Sequence, residues 1–284
     1  ITQTINKPSG SSSVFKLVPV MPGENLWHAG SYIPVLVHHI QQRIQPTGGC
    51  FYIGIKQNKI AVVFQFLESF VVPFGKTKVL KMEIPVEEGK DIEDQYYLAL
   101  NWTYGQITDK YLSQTLKALA EMLMDTPASP LKKAIQDSGY AKDSTIVVED
   151  DILQPTVFLL CKQVKKENIE PLTKLIKQEL KRIVKEGLDK KLIEAVINKM
   201  EFNLREAQYR FYPRGLIYAL NSQGLWMHNG NPVDKLAFEP MLKELRKGLK
   251  EPYFEELIEK AILNNKHSSQ ITFVPVPGLI QKME

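Results

Sequence analysis

The sequence predicts an α+β fold, an antiparallel sheet with helices packed on one face. Three observations carry that reading. Beyond residue 75, several apolar runs have the length of strands. Longer stretches repeat leucine and isoleucine at spacings of three and four, the period of a helix face. The order is strand, strand, helix, helix, strand, strand, then a helical block and one last strand.

Each element has its own signal. Lys76 to Ile84 alternates, with Met82 and Ile84 on one face and Pro85 as its stop. Tyr96 to Tyr104 is a continuous aromatic and apolar run, the pattern of a central strand. Thr108 or Asp109 then caps a helix whose Leu112, Leu116, Leu119 and Leu123 form one stripe, and Thr126-Pro127 ends it. Ser129 with Pro130 starts a short helix that stops at Gly139. Thr145 to Glu149 and Thr156 to Val164 read as two more strands.

A helical block follows. Leu172, Leu175, Ile176, Leu180, Ile183 and Val184 make one stripe, closed by Gly187. Leu192, Ile193, Val196, Ile197, Met200 and Leu204 make the next. Pro213 interrupts before a helix over Leu216 to Trp226, and Asn229-Gly230-Asn231-Pro232 is a turn. Leu236 to Leu249 and Pro252 to Leu263 give two further helices, and Gln270 to Val274 is the closing strand.

Charge divides the chain. Seven of its 68 charged side chains fall in residues 1–75, and 61 in the other 209 positions. The predicted domains are therefore a charge-poor segment, 1–75, and an α+β domain, 76–284. The first opens on the linker-like Pro8 to Ser13, and its short apolar runs, Tyr32 to Val37 and Cys50 to Ile55, keep no steady period. The chain starts at Ile1 with no basic region ahead of an apolar one, and reads as a piece of a longer polypeptide.

Composition excludes several function classes. With 36 basic and 32 acidic residues interleaved, no basic face gathers for nucleic acid. The nearest approach to a membrane span, Ile60 to Gly75, is broken by Gln65, Glu68 and Pro73. Two distant cysteines, Cys50 and Cys161, make neither a disulfide framework nor a CxxC pair. A reducing compartment is expected, the cytoplasm or an organelle matrix.

A helical hydrolytic zinc site needs two histidines one turn apart and a carboxylate to activate water. His38-His39 has no glutamate at that spacing, while His28, His228 and His267 stand apart. No Gly-x-Ser-x-Gly elbow, Walker loop or GxGxxG occurs. Cys161 lies in an apolar run and reads as a buried, inert thiol. Glu149-Asp150-Asp151, a run of acids at a strand end, reads as solvated loop, and neither it nor Glu255-Glu256 is assigned acid-base work. Lys165-Lys166, Lys181-Arg182 and Lys190-Lys191 are interleaved with glutamates, the pattern of solvent-facing helices. The residues nominate no catalytic, cofactor-binding or metal-ligating side chain.

Four blocks nevertheless resemble a known family. Ser129 to Tyr140 (SPLKKAIQDSGY) is similar to the SPLYKALIESGLG stretch of presequence proteases, a branch of the pitrilysin/insulinase zinc metalloendopeptidases. Glu186 to Arg205 (EGLDKKLIEAVINKMEFNLR) resembles that branch's EGF-x-x-x-RIEALLHKIE helix. Trp226 to Pro232 (WMHNGNP) resembles its W-x-H-D-G-D-P turn. The tail, Tyr253 to Lys260 (YFEELIEK) and Val274 to Gly278 (VPVPG), is similar to its YFEKLIEKYLLDNPHR…LVPDPG ending.

The resemblance implies the second, non-catalytic domain of the first half of such a protease. Its implied partners are the catalytic domain, the second half and unfolded peptide substrates, with no nucleic acid and no membrane. Zinc is implied in the full-length enzyme, on the HxxEH helix of another domain, and no cofactor in this segment. Tyr140 does not inherit the substrate-contacting role of a far-half tyrosine, because Gln136-Asp137 stands where that motif has an Ile-Arg-Gly run. Residues 1–75 match no family block, and two readings stay open for them, a divergent or inserted segment and an out-of-frame stretch. A stand-alone, catalytically inactive module that binds a partner subunit is the alternative function.

Overall fold

The computed structural model describes residues 73–89, 91–207 and 212–279, together with the backbone of 53–56 and 59–62. His28, His38, His39, Cys50, the Pro8 to Ser13 stretch and the Tyr32 to Val37 run lie outside the described residues. Two short strands, β1 (Ile53–Lys56) and β2 (Lys59–Val62), pair antiparallel, so the second half of the Cys50 to Ile55 run is strand.

Five strands form the main sheet: β3 (Lys78–Val86), β4 (Tyr96–Thr103), β5 (Ala141–Glu149), β6 (Thr156–Val164) and β7 (Ser268–Pro277). Their spatial order is β3-β7-β4-β6-β5, with β4 in the middle as its continuous apolar run requires. Three of the four pairings are antiparallel, and β3 with β7 is parallel. The parallel pair joins the first and last strands of this sheet, whose connection runs through the whole helical block and so supplies the long crossover such a pair needs. β3 is an edge of the sheet, which is why Pro85 is tolerated inside it, opposite Val276, instead of ending it.

The pleat sends alternate side chains to two faces. Leu98, Leu100 and Trp102 of β4, with Val157, Leu159 and Cys161 of β6, face the helices and join the large core. Ala99, Leu160, Ile271 and Phe273 face the other way, with Leu80, Met82 and Ile84 packed on them. A hydroxyl and amide row runs through the sheet: Asn101 Nδ2 donates to Ser269 Oγ at 3.0 Å, and the Thr103 and Thr156 hydroxyls meet at 3.0 Å.

The helices cover one face. α1 (Leu112–Met124) buries Leu116, Leu119, Met122 and Leu123. It starts after Tyr111, whose φ of 63° is left-handed, so neither Thr108 nor Asp109 caps it. Asp109 Oδ2 instead accepts from the Gln106 N–H at 2.7 Å and closes the preceding turn. α2 (Pro130–Ser138) stops at Gly139 with φ 66°, the left-handed position that favours glycine. Ser129 precedes it, but its Oγ turns back to accept from the Thr126 N–H at 3.2 Å.

α3 (Ile169–Glu186) buries Leu172, Ile176, Leu180 and Ile183 on one stripe. α4 (Lys190–Glu206) begins at Asp189, whose side chain accepts from the Lys191 N–H at 2.9 Å. α5 is Arg214–Met227, and α6 (Phe238–Leu245) tightens into a 3-10 turn over Arg246–Leu249. α7 (Tyr253–Ile258) widens into a π turn over Glu259–Leu263. The junction of α6 and α7 is close: a Cβ on Gly248 would lie 2.3 Å from the Phe254 ring, and Phe254 is fully buried. Burial of each large apolar side chain in this layer contributes about 1.5–3 kcal/mol, so the helices are held by their stripes more than by their caps.

Candidate functional site

The end of β5 brings the acidic run together with two lysines. Asp150 follows the last residue of β5 and is buried. Lys117, one turn into α1, places Nζ 2.8 Å from Asp150 Oδ1. Lys235, at the end of a 3-10 turn (Pro232–Lys235), places Nζ 3.1 Å from Oδ2 and 3.2 Å from the Asp150 carbonyl oxygen. The Lys235 side chain is only 8% exposed. The solvated loop expected for this run is thus corrected at Asp150, whose two oxygens each meet an ammonium.

The electrostatics follow from that geometry. Burial pushes the Asp150 carboxyl up, but the Lys117 and Lys235 ammoniums outweigh it and hold it below the usual carboxylate range. Its neighbour Glu149 goes the other way. Burial, then the charges of Asp151 and Asp150, raise the Glu149 carboxyl, against a smaller pull from Lys117. Asp151 is mostly solvent-facing, its Oδ1 3.9 Å from Lys235 Nζ.

The segment that delivers Lys235 is the WMHNGNP turn. Asn229 is left-handed at φ 62°, and the Gly230 N–H returns to the Leu225 carbonyl at 2.9 Å. A Cβ at Gly230 would lie 2.3 Å from Leu225 Cδ1, so only glycine lets the loop fold back so tightly. Asn231 Oδ1 accepts from the Val233 N–H at 3.2 Å and its Nδ2 donates to Asp234 Oδ1 at 3.1 Å. Upstream, α5 passes directly over the acidic run, where a Cβ on Gly224 would lie 3.0 Å from Asp151 Cα. Nothing local marks Lys235 as special, because its partner is 85 positions away in sequence.

The other singled-out residues are dispersed. His228 ends α5, half-buried, and burial lowers its imidazole. His267 is buried before β7 with its ring edge-on to Phe74 at 4.7 Å, and burial lowers it as well. Trp226 is 61% exposed. Tyr140 is half-buried against the core, its N–H on Ser138 Oγ at 3.2 Å. Cys161 is fully buried in β6, and burial pushes its thiol up to about 12.

Of the remaining charges, Arg182 pairs with Glu179 and Glu186 at 2.5 Å, as expected for solvent-facing helices, and Glu256 pairs with Lys260 at 2.7 Å. Glu255 is buried, and its Oε1 accepts the Leu188 N–H at 2.7 Å, tying α7 to the loop after α3. Among the described residues, no three His, Cys, Asp or Glu side chains converge to hold a metal ion. Asp150 spends both carboxylate oxygens on ammoniums, so the donor set there does not fit zinc. Among the described residues, no helix is long and apolar enough to cross a membrane.

Comparison with known proteins bears on the same residues. A family model described as the peptidase M16 inactive domain matches residues 55–200. The chain is 36% identical over 197 residues to protein HypA of Clostridium perfringens, covering 69% of this chain and 20% of that protein. It is 32% identical over 258 residues to presequence protease 1, chloroplastic/mitochondrial, of Arabidopsis thaliana, covering 89% of this chain and 23% of that one. The chain therefore spans about a fifth to a quarter of the length of these relatives. Solved structures share the fold. A protease from Helicobacter pylori superposes with a TM-score of 0.55 at 11% identity, over 77% of this chain and 48% of that one. A peptidase M16 inactive domain from Pseudomonas fluorescens superposes with a TM-score of 0.52 at 13% identity, over 76% and 47%.

Proposed function

Because the chain belongs to the peptidase M16 inactive-domain family, we propose that it is the non-catalytic second domain of a presequence-protease-like zinc metalloendopeptidase, comprising residues 76–284. It walls a closed chamber and helps hold unfolded peptides while another domain of the same protease supplies the zinc. Bound in that other domain, zinc would supply Lewis-acid polarisation of the scissile carbonyl and a more acidic water; this chain's residues position and enclose.

The observation that carries this reading is the fate of the acidic run. The carboxylate most buried there, Asp150, spends both oxygens on Lys117 and Lys235, and so fastens α1, β5 and the turn after α5 to one another. A carboxylate engaged in that way serves architecture, not proton transfer or metal binding. The length of the relatives supports the rest, since each is several times longer than this chain. The proposed compartment is the cytoplasm or an organelle matrix.

The test compares two preparations, this chain alone and the longest natural polypeptide that contains it. With an unstructured peptide and added zinc, the chain alone is expected to hydrolyse nothing. The longer polypeptide is expected to cleave the peptide and to lose that activity to a chelator. Chelator-sensitive cleavage by the chain alone, or none by the longer polypeptide, overturns the proposal.

A further inference from the structure

α5 is built unlike the other helices. From Gly215 to Met227 it carries no Asp, Glu, Lys or Arg, in a chain that is 24% charged. Only Ser222, Gly224 and Leu225 of it are buried, at the end that crosses Asp151. Leu220 and Trp226 stand exposed, as do Tyr212 before the helix and Val233 and Leu236 after it. Among the described residues, the exposed large apolar side chains concentrate in 212–236, and elsewhere only Val79 and Phe202 join them. Asn221, Ser222 and Gln223 give the helix some polarity, but the large apolar Leu220 and Trp226 stand outward instead of toward the core, and a concentration of exposed apolar surface marks an interaction site.

The geometry points to α5 and the turn after it as a preformed plug that a neighbouring domain of the same, longer polypeptide encloses. Three observations select that occupant. Relatives at 32% and 36% identity are four to five times as long as the stretch they share with this chain, so further domains accompany it there. The absence of charge matches a permanent interface, whose core is depleted of charged residues, and not the grip on a basic or acidic peptide, which needs countercharges. Finally, the plug is fixed in place before any partner arrives. Lys235 locks the turn to Asp150, and the close pass of Gly224 over Asp151 sets the end of the helix. A fixed apolar surface costs little ordering on docking. The inference rests on the domain assignment proposed above and adds the surface through which the domain is held.

The test is oxidative footprinting of Trp226, read by mass spectrometry, on this chain alone and on the longest natural polypeptide containing it. Trp226 is expected to label several-fold less in the longer polypeptide. Leu220→Asp is expected to leave the unfolding of the chain alone unchanged while making the longer polypeptide easier to clip by protease between its domains. Equal labelling in both preparations overturns the inference. Protection in the chain alone that grows with concentration overturns it too, in favour of a second copy. Protection that appears only when an unstructured peptide is added overturns it in favour of substrate. Peptide cleavage assayed on the same longer polypeptide separates the two proposals: cleavage with Trp226 unprotected sinks only this one, and protection without cleavage sinks only the peptidase assignment.

Discussion

Lys235 Nζ sits 3.1 Å from Asp150 Oδ2 and 3.2 Å from the Asp150 carbonyl oxygen, so one ammonium holds both the side chain and the backbone of a residue 85 positions away. The contact fastens the turn after α5 to the end of β5. Lys117 takes the other carboxylate oxygen at 2.8 Å and adds α1 to the same point. Three elements therefore depend on a single carboxylate.

Removing that carboxylate should be costly. Asp150→Ala strips the buried Lys235 ammonium of its close partner and leaves it only the solvent-facing Asp151 carboxylate at 3.9 Å, for an expected loss of about 3 kcal/mol of unfolding free energy in a urea titration. Lys235→Met should cost clearly less, because Lys117 still pairs with Asp150 and the apolar side chain fills similar space. Asp151→Asn, at a position 72% exposed, should change little. Equal losses for the three variants would show that the Asp150 pairing is not what holds the turn.

Gly230 tests the turn itself. A methyl group there would lie 2.3 Å from Leu225 Cδ1 and 3.0 Å from the Leu225 carbonyl oxygen. Gly230→Ala should destabilise by about 1–3 kcal/mol through overpacking. Its effect should be non-additive with Lys235→Met, because both act on one loop. Thermal melts of the two single variants and the double variant measure the coupling, and simple additivity would mean that the turn and the ion pair act independently.

His267 gives stability a dependence on acid. Burial lowers its folded pKa beneath the unfolded value of about 6.5. Between the two values the unfolded chain binds more protons, so stability rises with pH there. The contribution is complete above about 6.5 and is lost as pH falls through the folded value. Urea midpoints taken across the acid range should fall more steeply for the native sequence than for His267→Gln. Parallel profiles would show that the His267 ring is already solvated enough to titrate normally.

Cys161 should be silent. Its thiol is fully buried in β6 and pushed up to about 12, so almost no thiolate forms at neutral pH. An alkylating reagent should leave the Cys161 peptide unmodified in native buffer and modify it fully in denaturant, read by mass spectrometry. Rapid native labelling would mean that the β6 region opens easily.

Periodicity made much of the fold legible. Thr156–Val164 is a strand over the span its apolar run predicts, and the Leu172 to Ile183 stripe is the buried face of α3. Gly139 and Gly187 end their helices as read, each at positive φ. The start of α1 was not legible, because Tyr111 adopts a left-handed φ of 63° that no residue pattern signals. The helix expected over 236–249 tightens into a 3-10 turn at Arg246–Leu249, where Gly248 lies against the Phe254 ring, a contact made between helices, and the one expected over 252–263 widens into a π turn at Glu259–Leu263.

What the sequence determined by itself was local: which stretches are strands or helices, which side chains turn inward, and the family resemblance borne by four short blocks. The tertiary structure decided what depends on pairs remote in the chain. It set β3 parallel to β7, buried Glu255 on the Leu188 N–H, and joined Asp150 to Lys117 and Lys235. A hydrophobic stripe is written in its own neighbours, because burial acts on every residue of a face alike. An ion pair or a strand partner is chosen by the path of the whole chain, so the residues on either side of Asp150 carry no sign of the lysine that meets it.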